Sequence, residues 1–146
     1  MCIENLFTER ARKIIEDVCG SAEEACRYID TLNEMAGEKR FGFCLDTGHS
    51  LMLGKDMRNF IHTIGPRLKA LHLNDNDGND DLHTLPYTGK LDWERTANAL
   101  RDVGYRNTVN FELGLGQFPA QTRPAVLQYI ASIGKYIADK LEKTNS

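Results

Sequence analysis

Long hydrophobic runs are absent from this sequence of 146 residues. Its apolar runs extend over about four or five residues, whereas a helix needs roughly 20 to span a bilayer, so the pattern excludes a membrane-spanning helix. No basic stretch followed by an apolar core opens the chain, which predicts a cytoplasmic protein without a signal peptide. Proline is scarce, with four residues, and neither these nor the twelve glycines cluster into a linker. We therefore expect a single domain over residues 1–146.

An excess of positive charge and close cysteine pairs are lacking as well. Lys and Arg number 18 against 21 Asp and Glu, for a formal net charge of −3. Broad nucleic-acid binding needs a basic face, so nucleic acid is not an expected partner. The four cysteines, Cys2, Cys19, Cys26 and Cys44, form no CxxC motif or other close pair, and without a secretory signal they are expected to be reduced intracellular thiols. Hydrophobic residues at 41% and charged residues at 27% are typical of soluble globular proteins and exclude a fibrous chain.

Short apolar segments alternate with longer segments of helical periodicity. Strands are predicted at 41–45, 68–73 and 108–113, with Cys2 and Ile3 as the end of another. Helices are predicted over 22–36, 56–64, 92–103 and 122–143, and residues 8–19 are also predicted to be helical. Strands that alternate with helices indicate an α/β fold with a parallel sheet and crossover helices.

Acidic or imidazole side chains stand at the C-terminal end of every predicted strand. The sheet edge formed by those ends is where α/β proteins build their sites. Wet loops also place polar residues after strands, but four successive ends that carry only Glu, Asp or His favour a metal or acid/base site. The residues are Glu4, Asp46 with His49, His72, and Glu112.

The loop over residues 74–90 carries a second candidate group. Asp81 and His83 are two positions apart, so in an extended segment their side chains point to the same side. On their own they are typical of a solvated turn and a surface imidazole. Together with Asp46 and His49 they form a plausible second cluster of imidazole and carboxylate ligands.

These segments resemble the sugar isomerase/epimerase and endonuclease IV superfamily, the xylose-isomerase-like (β/α)8 barrels of AP endonuclease family 2. The resemblance rests on five motifs in a fixed order, IEN (3–5), LDTGH (45–49), LHLND (71–75), DLHTLPYTGK (81–90) and NFE (110–112). Such barrels take about 250 residues, and this chain resembles only the half from strand five to helix eight. The resemblance therefore implies a half-barrel of about four strands and four or five helices.

The resemblance also implies the ligands of a divalent ion. One metal of the family is held by residues that correspond to Glu4, Asp46, His72 and Glu112. In endonuclease IV a second metal is held at the positions of His49, Asp81 and His83, whereas in the sugar epimerases the position of His49 contacts substrate. Three carboxylates and one imidazole suit Mn²⁺, Mg²⁺ or Co²⁺, and Zn²⁺ is also compatible.

The implied activity is isomerisation or epimerisation of a sugar or sugar phosphate, by proton transfer next to a carbonyl through a metal-stabilised enediolate. Glu4 and Glu112 correspond to the acid/base pair of that reaction. Lys90 is either a contact to a substrate phosphate or hydroxyl or a solvated lysine. Two alternatives stay open, a metal-dependent endonuclease for abasic DNA and a catalytically inactive half-barrel.

Four strands cannot close a barrel, so we also expect the chain to associate with a second copy. Both outer strands would present unpaired N–H and C=O groups. We further expect apolar residues of the inner face, Phe43, Leu71 and Val109, to be exposed to water. A homodimer in which two half-barrels supply eight strands would remove both problems.

Overall fold

The computed structural model describes residues 1–142 and consists of one small parallel sheet covered on one side by helices. Strand β1 (Cys2–Glu4) pairs with β4 (Gly42–Asp46), which pairs in turn with β5 (Leu68–His72), all in parallel. The remaining strands, β2 (Phe7–Arg10) and β3 (Lys13–Glu16), form a separate antiparallel pair. The helices are α1 (Ala22–Ala36), α2 (Thr47–Met52), α3 (Met57–Ile64), α4 (Trp93–Asp102) and α5 (Arg123–Glu142). Within residues 1–142, none of these helices is long and apolar enough to cross a membrane.

Side-chain caps explain why three of the helices begin where the sequence predicts. The Ser21 hydroxyl accepts a hydrogen bond from the Glu24 backbone N–H at 3.2 Å and starts α1. Gly37, with φ of 67°, ends the same helix in the left-handed conformation. Asp56 and Asp92 cap α3 and α4 in the same way. The predictions for these helices and for α5 are confirmed to within one residue, except that Lys143 lies outside the described residues.

The predicted helix over residues 8–19 is wrong, because β2 and β3 form a hairpin there. Ala11 and Arg12 have φ angles of 52° and 61°. Two successive positive φ angles are the mark of a type I′ turn, which matches the twist of the flanking strands. The β-branched pair Ile14 and Ile15 favours the strand, and the contact of the Phe7 ring with His49 is a tertiary interaction that the weak helical periodicity does not reveal.

The predicted strand over 108–113 is present only as a bridge to the end of β5. Leu73 and Phe111 form an isolated parallel bridge. The Leu73 N–H donates to the Asn110 carbonyl at 2.9 Å, and the Glu112 N–H donates to the Leu73 carbonyl at 3.1 Å. Among the described residues this segment pairs with the end of β5 on one side only. Three strands and this fourth segment make up an open half of a TIM-type barrel.

The large apolar residues of the sheet face the helices and not the open inner face. Phe43 is fully buried and Leu71 is 1% exposed. Val109 is half-buried and packs against the same core. The expectation that these residues would be exposed is therefore wrong. Because side chains alternate along a strand, the inner face receives the small or polar intervening residues, including Cys44, Ala70 and Asn110.

Candidate metal centre

Four side chains from four neighbouring segments meet at the C-terminal edge of the sheet. Each offers one ligand atom, and these atoms lie within 4.8 Å of one another. We call this group the four-ligand cluster; its members are Glu4, Asp46, His72 and Glu112. The parallel pairing of β1, β4 and β5 places three of them side by side, and the bridge at Phe111 brings up Glu112.

His72 lies between the two glutamates of the cluster. Its Nδ1 atom is 2.8 Å from Glu112 Oε2 and 3.2 Å from Glu4 Oε1. The Glu4 side chain is 27% exposed and that of Glu112 is 47% exposed. Asp46 is fully buried beneath them. The cluster is thus anchored in the protein and open to a ligand from one side.

Asp46 is fixed by hydrogen bonds to both of its carboxylate oxygens. Oδ1 accepts from the His49 backbone N–H at 2.8 Å and so caps α2, while Oδ2 accepts from Asn74 Nδ2 at 2.9 Å. Burial raises the pKa of Asp46 above its ordinary value, and the neighbouring His49 opposes that rise. A bound cation would favour the ionised carboxylate that burial disfavours.

Three fully buried asparagines surround the site, and the sequence analysis missed them. Asn5, Asn74 and Asn76 have no exposed surface. Asn5 and Asn74 hold Asp46, and Asn76 Nδ2 donates to the Gly48 carbonyl at 3.1 Å. The amides of Asn5 and Asn76 have hydrogen-bond partners at both nitrogen and oxygen, whereas the buried Asn74 Oδ1 has none among the described residues. Their positions in the sequence, next to the candidate ligands at the strand ends, could have identified them.

His49, Asp81 and His83 form a second group, the imidazole cluster, whose ligand atoms also lie within 4.8 Å of one another. Asp81 Oδ1 is 3.1 Å from His83 Nε2, and Asp81 Oδ2 is 3.6 Å from His49 Nε2. The segment is not extended at His83, whose φ is 46°, yet its side chain still meets that of Asp81. Burial lowers the pKa of His83, but the Glu112 carbonyl and the Asp81 charge outweigh it, so that this pKa is raised overall.

The tautomer of both imidazoles follows from their backbone partners. His49 Nδ1 lies 2.8 Å from the Asn5 carbonyl, and His83 Nδ1 lies 3.1 Å from the Glu112 carbonyl. A carbonyl only accepts, so each Nδ1 carries the proton in the neutral ring. In the neutral rings the two Nε2 atoms carry lone pairs and both face Asp81, an arrangement that a cation bound among the three would stabilise. His49 Nδ1 is also 3.7 Å from Glu4 Oε1, which places the two clusters side by side.

Asp75 holds the loop that carries Asp81 and His83 in place. Its role was not predicted from the sequence. Asp75 is fully buried; Oδ1 accepts from the Leu91 N–H at 3.0 Å, and Oδ2 accepts from Trp93 Nε1 at 2.7 Å. The Asp75 backbone exchanges two hydrogen bonds with Thr84. Lys90, by contrast, is exposed beside Gly78 and belongs to neither cluster.

Two curated relatives share part of this sequence. The uncharacterized protein y4fM of Sinorhizobium fredii is 35% identical over 77 residues, which cover 53% of this chain and 25% of that protein. The uncharacterized protein MJ1311 of Methanocaldococcus jannaschii is 22% identical over 104 residues, covering 70% of this chain and 36% of its own length. The matched segments thus span about a quarter and a third of these relatives.

Two solved structures share the fold. A D-psicose 3-epimerase, crystallised in the presence of D-fructose, superposes with a TM-score of 0.74 at 19% identity, covering 94% of this chain and 48% of that one. A D-tagatose 3-epimerase-like protein gives a TM-score of 0.60 at 18% identity, covering 92% and 48%. The chain therefore spans about half the length of each. The family model of the xylose isomerase-like TIM barrel matches residues 1–133, so the chain belongs to that family.

Proposed function

We propose that this chain binds a divalent metal ion and serves in the isomerisation or epimerisation of a sugar or sugar phosphate. The observation that carries the proposal is the four-ligand cluster at the C-terminal edge of the sheet. Three carboxylates gathered within 4.8 Å repel one another, and within residues 1–142 no Lys or Arg forms an ion pair with any of them. A bound cation would relieve that repulsion.

The chemistry of the donor set fits a hard cation. Three carboxylates and one imidazole are typical ligands of Mn²⁺, Mg²⁺ or Co²⁺, and Zn²⁺ is also compatible. When bound, such a cation polarises the oxygens of a hydroxyketone and makes the C–H between them more acidic. Glu4, Asp46, His72 and Glu112 would hold the ion. The hydrogen bonds from His49 and Asn74 keep Asp46 in place for that task.

Glu4 and Glu112 are proposed to exchange the substrate proton. They come from opposite ends of the row of four segments, and both reach His72 Nδ1, at 3.2 Å and 2.8 Å. One carboxylate would take the proton from the reacting carbon, and the other would return a proton to the opposite face. Both side chains are partly exposed, so a substrate in the mouth of the site can reach them.

The imidazole cluster favours a second candidate, a metal-dependent endonuclease for abasic DNA. Two imidazoles and a carboxylate beside the first cluster are suited to a second cation that would activate water. The net charge of −3 speaks against a DNA-binding surface. A chain that only binds metal is the remaining alternative.

Metal analysis and two assays separate these functions. We expect the purified protein to hold a stoichiometric divalent ion, and the His72→Ala variant to lose it. Mn²⁺-dependent conversion of a ketohexose would support the epimerase, whereas nicking of abasic DNA would support the nuclease. Metal binding with neither activity would support the inactive chain, and an unchanged metal content in His72→Ala would refute the ligand assignment.

A further inference from the structure

A cleft of about 520 Å³ opens at the N-terminal edge of the sheet, on the far side from the candidate metal centre. Its lining includes Gly42, the first residue of β4, whereas Asp46 at the other end of that strand belongs to the four-ligand cluster. A strand rises about 3.3 Å per residue, which separates these two residues by roughly 13 Å. The volume of the cleft lies within the range of about 300–1,000 Å³ typical of small-molecule sites.

Positive charge predominates in this cleft. Among the described residues, one carboxylate, that of Asp30, lines it together with four cationic side chains, those of Lys39, Arg40, Arg67 and Lys69. The whole chain carries a formal net charge of −3, so the cleft concentrates charge of the opposite sign. A cleft lined by charge of one sign raises the local concentration of ligands of the other sign.

The two arginines of the cleft have acidic partners, whereas the two lysines do not. Arg67 donates to both carboxylate oxygens of Asp30, from Nε at 2.7 Å and from Nη2 at 2.6 Å. Arg40 pairs with a carboxylate two residues earlier in the chain. Within residues 1–142, neither Lys39 nor Lys69 forms an ion pair, so two ammonium groups of the lining have no counter-charge.

Local contacts hold the cationic segments of the cleft in place. The Asn33 side chain donates from Nδ2 to the Phe41 carbonyl at 3.0 Å, and its Oδ1 accepts from the backbone N–H groups of Arg40 and Phe41 at 2.8 Å and 2.7 Å. The stem of Lys69 lies against Gly42, where an added Cβ would be 3.0 Å from Lys69 Cβ. The walls are thus fixed in advance, which lowers the entropic cost of binding a ligand.

The lining indicates the chemistry of that ligand. A phosphate monoester carries a charge of about −1.5 to −2 near pH 7, which two ammonium groups would balance. Phe41 and Pro66 add apolar surface to the same lining. Such surface suits an organic group attached to the phosphate, whereas a free phosphate ion would leave it uncovered.

We propose that this cleft binds a small organic phosphate monoester, with the phosphate paired to Lys39 and Lys69 and the organic group against Phe41 and Pro66. The inference does not depend on the proposed function, because the cleft shares no residue with the four-ligand cluster or the imidazole cluster. It adds a second binding site to the chain, at the opposite edge of the sheet.

Three variants and one matched control test the site. Lys39→Ala and Lys69→Ala each remove one ammonium group from the cleft. Gly42→Ala changes no charge but displaces the stem of Lys69. Lys13→Ala is the control, because Lys13 is exposed, forms no ion pair within residues 1–142 and does not line the cleft.

The measurement is calorimetric titration of the whole chain at low salt with phenyl phosphate, inorganic phosphate or benzoate. Prior passage over a chelating resin removes metal ions, so that no phosphate binds through a metal. We expect phenyl phosphate to bind at least about tenfold more tightly than either other anion. Lys39→Ala and Lys69→Ala should each weaken its binding by about tenfold, and Gly42→Ala should weaken it as well, whereas Lys13→Ala should leave it unchanged.

Several outcomes would overturn the proposal. No binding of phenyl phosphate would refute the site, and equal weakening by Lys13→Ala would indicate a general attraction of anions to the chain. Inorganic phosphate that binds as tightly as phenyl phosphate would refute the role of the organic group. Circular dichroism checks the fold of each variant, and the two exposed lysines decide the question if Gly42→Ala does not fold.

Discussion

Asn5 and Asp46 exchange two hydrogen bonds between the ends of adjacent strands. Asn5 Nδ2 donates to the Asp46 carbonyl at 2.9 Å, and the Asp46 N–H donates to Asn5 Oδ1 at 2.8 Å. The same Nδ2 lies 3.0 Å from the Ser50 hydroxyl. One buried side chain thus joins β1 to β4 at the point where each strand presents a candidate metal ligand.

Replacing Asn5 with alanine should destabilise the protein and loosen the metal centre. Each buried polar group left without a partner costs about 1–3 kcal/mol, so we expect a loss in that range or above it. Urea unfolding followed by circular dichroism measures it. Asn107→Ala is the control, because Asn107 makes one exposed bond to the Lys69 carbonyl. Equal stability of the two variants would contradict a structural role for Asn5.

Gly48 should tolerate no side chain. A Cβ atom at this position would lie 2.0 Å from Asn74 Oδ1, and Asn74 is itself held by Asp46. Gly48→Ala should therefore lower the unfolding free energy by about 1–3 kcal/mol, the scale for overpacking a core. Gly116→Ala is the matched control, since nothing lies within 4 Å of its added Cβ. Thermal denaturation of both variants checks the difference.

Glu4→Gln and Glu112→Gln should each reduce turnover of a ketohexose by at least about 10²-fold, the scale of a lost general acid or base. Glutamine keeps the size of the side chain but cannot exchange the proton. In the unmodified protein, solvent deuterium should enter the sugar at the reacting carbon, as mass spectrometry would detect. Epimerisation without deuterium incorporation would instead point to a hydride shift.

Three of the four thiols, those of Cys2, Cys19 and Cys44, should differ in their reaction with iodoacetamide at pH 8. Burial raises the pKa of Cys44 to about 12 and that of Cys19 to about 11, so both stay protonated and shielded. Cys2 is exposed and should react first. Peptide mass mapping of the folded protein should find label at Cys2 and little at Cys19 or Cys44, whereas the unfolded chain should be labelled at all three. Rapid labelling of Cys44 in the folded protein would contradict this burial.

The assembly prediction now rests on strand edges and on α5. In the described residues β1 pairs with β4 alone, so its other edge has free N–H and C=O groups. On α5, Leu127 is 52% exposed. We expect a two-fold dimer that covers these features, and light scattering at micromolar concentration measures it. A stable monomer with cooperative unfolding would rule it out.

Local signals predicted most helices, and tertiary contacts account for what was missed. The start of a helix can be predicted from its N-cap residue, because the cap side chain bonds to a backbone N–H only three residues further along. Helices α1, α3 and α4 begin in this way, after Ser21, Asp56 and Asp92. The hairpin escaped detection because its two-residue turn, Ala11 and Arg12, lacks the Asn or Gly that usually marks positive φ.

The candidate site divides in the same way. The candidate ligands Glu4, Asp46 and His72 were predicted from their positions at strand ends, which are visible in the sequence. The roles of Asn5 and Asp75 depend on hydrogen bonds to residues 41 and 18 positions away in the sequence. Contacts between residues so far apart in the sequence produce no local sequence pattern.

The placement of Phe43 and Leu71 on the helix-covered side has a consequence for the order of folding events. Their burial is complete within one chain, so collapse of the core does not wait for a second molecule. The refolding rate should then be independent of protein concentration, and any association should follow as a separate, concentration-dependent step. Because the inner face carries small and polar residues, it exposes little apolar surface, and the folded monomer can remain in solution until it meets a second copy.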